Sequence, residues 1–283
     1  MSQYDQLSRA ADMVGRKLGR AKIGVVLGSG LSEAVENLHG AKTLDFAEIP
    51  SLPEPSTEGH RGALVHGTMN DIPVLALCGR IHMYEERPNE DVAAGIRLLS
   101  MLGVHTLVVT SAVGSIDPET VPGHMVLVED HINVSGRNVL AGPHDKRFGP
   151  RFPDVSQAYD PVLTAAVEDT AEVVGLRARR GLLVQFLGPT YETPAEVRLA
   201  AQMGGAVVSM SMVPDVVVAR QRGMRVAGIG CVTNLAAGVS EHPLGHEDVL
   251  RSSALNAANL QSLLSGLIPR LAHEATGPLA RRH

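Results

Sequence analysis

Aromatic residues are scarce in this sequence of 283 residues: tryptophan is absent, and phenylalanine and tyrosine occur four times each. Aliphatic side chains and glycine must therefore build most of the interior, and the 44% hydrophobic content is enough for a sizeable core. Length alone leaves one large domain or two small ones open. We favour one domain over residues 1–283, because neither an internal repeat nor a linker divides the chain.

Cysteine is also rare, since Cys78 and Cys231 are the only two and both lie in apolar stretches. Buried thiols of this kind are typical of a reducing cytoplasm rather than of a disulfide-bonded secreted protein, although the sequence leaves a disulfide open. The N-terminus lacks a signal-peptide pattern, and no apolar run is long enough to cross a bilayer. We therefore expect a cytoplasmic protein with no membrane partner.

Excess positive charge and several familiar motifs are missing as well. The formal net charge is −5, which argues against a nucleic-acid partner and requires an anionic ligand to be held by local groups. The sequence has neither the His-Glu-x-x-His zinc pattern nor the Gly-x-Ser-x-Gly elbow of serine hydrolases. Residues 28–30 also lack the remaining parts of a P-loop or a dinucleotide fingerprint. We expect no metal and no cofactor.

Strand-like and helix-like patterns alternate along the chain, which predicts an α/β fold. Buried strands are predicted at residues 23–27, 63–66, 72–78, 106–110, 125–133, 182–186, 205–208 and 226–234. Helices are predicted at 4–19, 88–102, 161–175 and 247–271, with others beginning near 31, 195 and 213. A surface loop is expected at 135–158, a second strand-to-glycine turn at 111–115, and a mobile tail at 272–283.

Polar side chains follow the ends of at least five predicted strands. Ligands bind at the carboxyl ends of strands in open α/β sheets, where helix N-termini and glycine turns offer N–H groups to anions. Arg80 and His82 are two residues apart in an extended segment, so they are expected on one face, with Glu85 able to orient His82. Taken singly, each of these residues is explained equally well as a helix cap or a solvated side chain. The whole set predicts an anion pocket at Ser29, Arg80, His82 and Ser211, and a polar pocket at Glu192 and Asn234.

From about Ile23 to the last helix, the sequence resembles the trimeric purine nucleoside phosphorylases. The motifs that carry this resemblance are residues 28–30, 59–62, 79–85, 130–133, 147–153, 188–193, 210–211 and 233–234. The resemblance implies a single α/β domain with a central mixed, partly barrel-like β-sheet flanked by helices. It also implies a homotrimer with active sites near the subunit interfaces, acting in purine salvage.

The resemblance implies reversible phosphorolysis of inosine, guanosine and their deoxy forms, with inorganic phosphate as co-substrate. Phosphate would be held by Ser29, Arg80, His82, Ser211 and the backbone amide of Ala112. The ribose would contact His60, Tyr84, Met210 and His246, with Phe152 reaching in from a neighbouring subunit. The purine would contact Tyr191, Glu192 and Asn234, and the catalytic residues would be His82, Glu192 and Asn234.

Asn234 also indicates which purine is preferred. Its amide can accept a hydrogen bond from N7–H while donating one to O6, whereas an aspartate would suit a 6-amino group. Glu192 would accept from N1–H. Buried polar groups of this kind discriminate strongly, because the wrong base leaves one of them unpaired. We therefore expect 6-oxopurine nucleosides to be preferred over adenosine.

Two motifs depart from the usual family pattern. Residues 111–115 read Ser-Ala-Val-Gly-Ser where relatives usually have Asn-Ala-Ala-Gly-Gly, and residues 210–215 read Met-Ser-Met-Val-Pro-Asp where Met-Ser-Thr-Val-x-Glu is usual. Val113 and Ser115 add bulk near the expected ligand, and Met212 removes a hydroxyl. Two alternatives therefore stay open: a catalytically impaired paralogue that binds nucleosides, and a methylthioadenosine-type phosphorylase.

Overall fold

The computed structural model describes residues 1–240 and 245–274, apart from the side chains of 246–250, 253 and 274. Its strands are β1 (Ile23–Leu27), β2 (His39–Asp45), β3 (Ala63–Met69), β4 (Ile72–Cys78), β5 (Thr106–Ser115), β6 (Met125–Asn133), β7 (Ala178–Gln185), β8 (Gly205–Ser209) and β9 (Arg225–Leu235). Its α-helices are α1 (Gln3–Lys17), α2 (Asn89–Met101), α3 (Pro161–Val173), α4 (Pro194–Gln202), α5 (Val213–Gln221) and α6 (His246–Glu274).

The nine strands form one mixed sheet in the order β2-β3-β4-β1-β5-β8-β7-β6-β9. Strand β5 also pairs with β9 in parallel, which closes β5, β8, β7, β6 and β9 into a five-stranded ring. The β5–β8 and β6–β9 pairs are antiparallel, and β1 pairs in parallel with both β4 and β5. The predicted α/β fold with a mixed, partly barrel-like sheet is confirmed.

Helices cover both faces of the sheet around β1, and this is why the apolar run of β1 is continuous. Val26 packs in a cluster with residues of α1, α2 and α5, whereas Val25 and Leu27 pack with residues of α3 and α6. Helix α1 contributes an amphipathic face that buries Leu7, Ala10, Ala11 and Val14.

Strand β5 is longer than the sequence predicts, and the prediction of a glycine turn at residues 111–115 is wrong. The strand continues to Ser115 because its end pairs on both sides, with Gly114 opposite Val208 of β8 and Asn234 of β9. The backbone of Ala112 therefore belongs to a strand of the ring, opposite Cys231 of β9, rather than to a loop.

Other differences concern elements with weak hydrophobic patterns. Strand β2 was not predicted, because only Leu44 of its seven residues is buried. The helix expected near residue 31 is a 3₁₀ turn at Ser32–Val35. Helix α6 continues three residues beyond its predicted end, to Glu274, and residues 275–283 of the predicted tail lie outside the described residues.

The surface loop predicted at 135–158 is confirmed as a segment without long elements, broken by a 3₁₀ turn at Lys146–Phe148. Its aromatic residues have different environments: Phe148 is buried, whereas Phe152 is 88% exposed. Cys78 and Cys231 are both buried and unpaired, which settles the disulfide that the sequence left open. None of the described helices is long and apolar enough to cross a membrane.

Candidate active site

A cleft of about 540 Å³ brings together the carboxyl ends of several strands. Nine of the thirteen predicted site residues border it: Ser29, His82, Tyr84, Ala112, Tyr191, Glu192, Met210, Ser211 and Asn234. They come from segments that are far apart in sequence, so the cleft depends on the sheet as a whole. The predicted anion-binding and polar residues therefore share one cavity, although Arg80 does not border it.

The turn after β1 lies close against β5 because residue 28 is glycine. A Cβ atom at Gly28 would lie 3.3 Å from the backbone N of Ala112 and 3.2 Å from the Cα of Ser111. Gly30 has a φ of +71°, which a larger side chain would strain. Gly28 therefore lets the turn that carries Ser29 approach the Ala112 backbone, and both residues border the cleft. A hydroxyl and a backbone N–H are donors suited to an anion.

Three aromatic rings line up beside this turn. His60 and His82 have ring centroids 5.0 Å apart, and His82 stacks on Tyr84 at 4.7 Å with an interplanar angle of 12°. The Nε2 atom of His60 lies 3.3 Å from the Ser29 hydroxyl, while Thr57 lies 3.1 Å from the Tyr84 hydroxyl. His60 does not border the cleft, but it links two residues that do.

His82 is held by Glu85, as the sequence predicts. One carboxylate oxygen of Glu85 accepts a hydrogen bond from the His82 backbone N–H at 2.7 Å and lies 3.4 Å from Nδ1 of its ring. Burial raises the pKa of Glu85, but hydrogen bonds from His82 and Ser56 outweigh it and hold this pKa far below its usual range. Burial lowers the pKa of His82 more than Glu85 raises it. Glu85 is therefore ionised and His82 neutral at pH 7.

Arg80 points to a different partner. Its Nη1 lies 2.8 Å from the Asp215 carboxylate, with each side chain at most 5% exposed, and its Nη2 donates to the carbonyl of Thr110. Burial lowers the pKa of Arg80 and raises that of Asp215, and the opposite charge of each partner counteracts both shifts. The role of Arg80 in phosphate binding stays a prediction.

Asn234 has a defined orientation in the cleft. Its Nδ2 donates to the Leu235 carbonyl at 3.0 Å, and its Oδ1 accepts from the Thr233 hydroxyl at 2.9 Å. A carbonyl can only accept, so the Leu235 contact fixes which end of the amide is nitrogen. One N–H and one lone pair of Asn234 are not used by these two contacts. Gly114 leaves room for this amide, because a Cβ there would lie 3.2 Å from Nδ2.

Glu192 is a buried carboxyl at the border of the same cleft, with only 7% of its surface exposed. Burial raises its pKa above the usual 4.5, and the nearby charge of Glu196 raises it further, while a hydrogen bond from its own backbone partly opposes the shift. Such perturbed groups in clefts are frequent at functional sites.

The structure does not bring the other two predicted ribose contacts, Phe152 and His246, into the described part of the cleft. Phe152 projects into solvent and does not border the cleft of its own chain. His246 begins α6, but its side chain is outside the described residues, as is His242. Among the described side chains, no group of three or more His, Cys, Asp or Glu is placed to hold a metal ion.

Sequence reasoning missed several polar residues that border the cleft, notably Thr57, Ser209 and Thr233. Ser209 could have been found, because it precedes Ser211 by two residues and side chains two apart share one face of an extended segment. Thr57 comes from a loop, and no periodic signal would have revealed it.

Comparison with known proteins agrees with this geometry. Residues 22–269 match the phosphorylase superfamily. Purine nucleoside phosphorylase 1 of Bacillus subtilis (strain 168) is 40% identical over 265 residues, which cover 93% of this chain and 98% of the relative. The chain belongs to the purine nucleoside phosphorylase family. Crystal structures of schistosome purine nucleoside phosphorylase with hypoxanthine and with adenosine each give a TM-score of 0.88 at 35% identity, covering 94% of this chain and 97% of theirs.

Family membership confirms the resemblance and the enzyme class that the sequence predicts, a purine nucleoside phosphorylase. Of the three residues noted above as departing from the usual family motifs, two lie away from the cleft, so they add less bulk near the ligand than the sequence predicts. Ser115 does not border the cleft, since its hydroxyl donates to the Asp117 carbonyl at 2.9 Å, and Met212 is buried in the core with a φ of +83°. Val113 alone of these three borders the cleft.

The contribution of the buried Arg80–Asp215 ion pair to stability can be tested by mutation. We expect Asp215→Asn to lower the free energy of unfolding by roughly 3–5 kcal/mol, because it leaves the Arg80 guanidinium buried without its counter-charge. The matched control is Asp12→Asn, which removes the exposed Asp12–Arg20 pair and should change little. Urea unfolding of the two variants and the wild type measures the difference. Equal urea midpoints for the two variants would contradict a stabilising role of the Arg80–Asp215 pair.

Proposed function

We propose that the protein catalyses reversible phosphorolysis of 6-oxopurine ribonucleosides and deoxyribonucleosides, such as inosine and guanosine. The products would be the free base and (deoxy)ribose 1-phosphate. The observation that carries the proposal is one cleft with anion-suited donors and an amide that has one donor and one acceptor to spare. No cofactor is needed, because inorganic phosphate is the second substrate.

In this proposal the phosphate lies among the hydroxyls of Ser29 and Ser211, the amide of Ala112 and the ring of His82. All four border the cleft. A neutral His82 that donates Nδ1–H to Glu85 presents Nε2 as an acceptor, which suits the hydroxyl of monohydrogen phosphate. Arg80 would support this group from behind, where its guanidinium is paired with Asp215. The ribose would lie against Tyr84 and Met210, with His60 nearby.

The chemistry requires charge to be stabilised at both ends of the breaking bond. As the glycosidic bond lengthens, the sugar gains oxocarbenium character and the base gains negative charge around N7 and O6. The bound phosphate stabilises the sugar and then attacks C1′ as the glycosidic bond breaks, and the proton that monohydrogen phosphate loses passes through solvent to N7 of the departing base. The amide of Asn234 stabilises that base by donating to O6 and accepting from N7–H. Holding phosphate in line with C1′ supplies much of the remaining rate enhancement, and no covalent enzyme intermediate forms.

Asn234 carries the choice of base. The likeness to solved structures does not decide it, because schistosome relatives were crystallised with both hypoxanthine and adenosine. After its contacts to Leu235 and Thr233, the Asn234 amide retains one N–H for O6 and one lone pair for N7–H. A 6-amino group would face the N–H with another donor and leave both unpaired. Glu192 would accept from N1–H, beside the ring of Tyr191.

The direct test compares base release from inosine, adenosine and methylthioadenosine, each with and without phosphate. We expect phosphate-dependent release that is fastest from inosine. Preference for methylthioadenosine would support the second phosphorylase type, and binding without any release would support the impaired paralogue. A preference for adenosine would overturn the assignment of Asn234.

Substitution of Asn234 sharpens this test. We expect Asn234→Asp to lower kcat/KM for inosine by roughly 10²–10³-fold, since it removes the donor to O6, and to raise the ratio of adenosine to inosine turnover. The control is Asn138→Asp, an exposed position whose side-chain oxygen only accepts from the Leu140 N–H and can still do so. Steady-state kinetics with both nucleosides would show an unchanged ratio if Asn234 does not contact the base.

The raised pKa of Glu192 predicts a pH dependence. The carboxylate must be ionised to accept from N1–H, so kcat/KM for inosine should fall as the pH drops through a pKa above the usual 4.5. Glu192→Gln should remove this acid limb while lowering activity, because the amide does not titrate. The exposed Glu172→Gln serves as the control. A wild-type acid limb that persists unchanged in Glu192→Gln would assign it to another group.

We further propose that the enzyme works as a homotrimer in which Phe152 completes the ribose site of a neighbouring subunit. Its loop is tied to its own subunit by the buried Phe148 and by a hydrogen bond from Gln221 to the Pro150 carbonyl, while Phe152 itself stays 88% exposed. A large aromatic ring held out by an anchored loop is suited to contact with another chain.

For this assembly we expect a solution mass three times the 29.9 kDa of one chain. Phe152→Ala should raise KM for inosine roughly tenfold through loss of apolar contact with the nucleoside. Val155→Ala, in the same loop, should not. Analytical ultracentrifugation and inosine kinetics measure the two effects. A fully active monomer would contradict the proposal.

We place this activity in the cytoplasm, where the two unpaired thiols stay reduced, and assign it to purine salvage because it releases reusable base. Burial raises the pKa of both thiols to about 12, which keeps them protonated and unreactive. The proposed partners are therefore the nucleoside, phosphate and two further copies of the chain, with neither nucleic acid nor membrane.

A further inference from the structure

We infer that Ser111 is a positioning residue that turns the hydroxyl of Ser211 toward the phosphate, as the middle member of a hydroxyl chain that begins at Ser209. The inference rests on the proposed function, because it concerns the phosphate end of that site. Ser111 stands where relatives usually carry asparagine, and nothing in the family resemblance assigns it a role.

The three hydroxyls lie in direct contact. The Oγ of Ser111 is 2.6 Å from that of Ser211 and 3.0 Å from that of Ser209. Ser209 and Ser211 border the cleft, whereas Ser111 is 1% exposed and lies behind them. Ser111 therefore cannot touch phosphate directly, and any effect it has on phosphate must pass through its neighbours.

The number of hydroxyl protons fixes the direction of the hydrogen bonds between these three serines. Each hydroxyl has one proton to donate. If Ser211 donates its proton to phosphate, the 2.6 Å contact must be filled by the proton of Ser111. Ser111 then accepts from Ser209, whose oxygen already accepts from the Ser211 backbone N–H at 3.3 Å. The protons run from Ser209 to Ser111 to Ser211 to the anion, and each bond polarises the next.

Without phosphate the same hydroxyls have other acceptors. Ser111 lies 3.1 Å from the Ala112 carbonyl and Ser209 lies 3.4 Å from it, so both protons can turn there. These contacts are longer than the 2.6 Å contact of Ser111 with Ser211. An arriving anion would draw the protons into the single direction described above. The carbonyl belongs to the residue whose amide is assigned to phosphate, so the network stays local to that end of the cleft.

The test measures KM for phosphate and for inosine separately. We expect Ser111→Ala to raise KM for phosphate roughly tenfold, the effect of one lost hydrogen bond, with KM for inosine changed less than about twofold. Ser209→Ala should have a smaller effect of the same kind. Ser111→Cys fills the space but bonds weakly, so it should behave like alanine if hydrogen bonding matters and like serine if only packing does.

Two further measurements separate orientation from structure. Ser111→Ala combined with Ser211→Ala should raise KM for phosphate no more than Ser211→Ala alone, because both act through one hydroxyl. Ser115→Ala, another fully buried serine of β5 that does not border the cleft, should leave KM for phosphate unchanged. Effects that multiply in the double variant, or equal rises in both KM values, would overturn the inference.

The outcome is distinguishable from failure of the proposed function. If the wild-type protein releases no base from inosine with phosphate, the proposed function is wrong, and calorimetric titration with inorganic phosphate then decides the inference. Weaker phosphate binding by Ser111→Ala than by wild type would support it in that case. Equal phosphate binding, or a normal KM for phosphate in an active enzyme, would overturn it.

Discussion

The parallel pairing of β5 with β9 is the constraint on which the site depends. It closes the ring, and its register sets Gly114 opposite Asn234 while β8 pairs on the other side. The antiparallel pairing of β5 with β8 brings Ser111 and Ala112 beside Ser209 and Ser211, almost a hundred residues later in the chain. A base-binding amide and anion-binding donors thus share a cleft because a single strand is paired along both edges.

The ionisable side chains at and behind this cleft are held by hydrogen bonds, ion pairing or burial. Hydrogen bonds hold the pKa of Glu85 low, while burial lowers the pKa of His82 and raises that of Glu192. Arg80 is neutralised by Asp215 behind the wall. Among the described residues, the border of the cleft carries hydroxyls, amides, two carboxylates and one imidazole but no Lys or Arg. Hydrogen-bond geometry then decides what binds more than net charge does.

The sequence predicted local features well and long-range ones poorly. Strands β1, β4 and β6 were predicted with their observed bounds, because continuous apolar runs ended by turns are local signals. The exposed β2, the length of β5 and the partner of Arg80 were not predicted, since each depends on pairing across the fold. Polar residues at predicted strand ends supplied five of the nine predicted residues that border the cleft, and the motif resemblance added four. Ser209 was overlooked although its spacing from Ser211 was readable.

We propose that phosphate and a 6-oxopurine occupy this cleft side by side. A crystal structure of the protein soaked with orthophosphate and hypoxanthine tests it most directly. The account predicts phosphate in contact with Ser29, Ser211 and the amide of Ala112, and hypoxanthine with N7 and O6 on Asn234. Two ligands bound far apart, or lodged away from these residues, would contradict it.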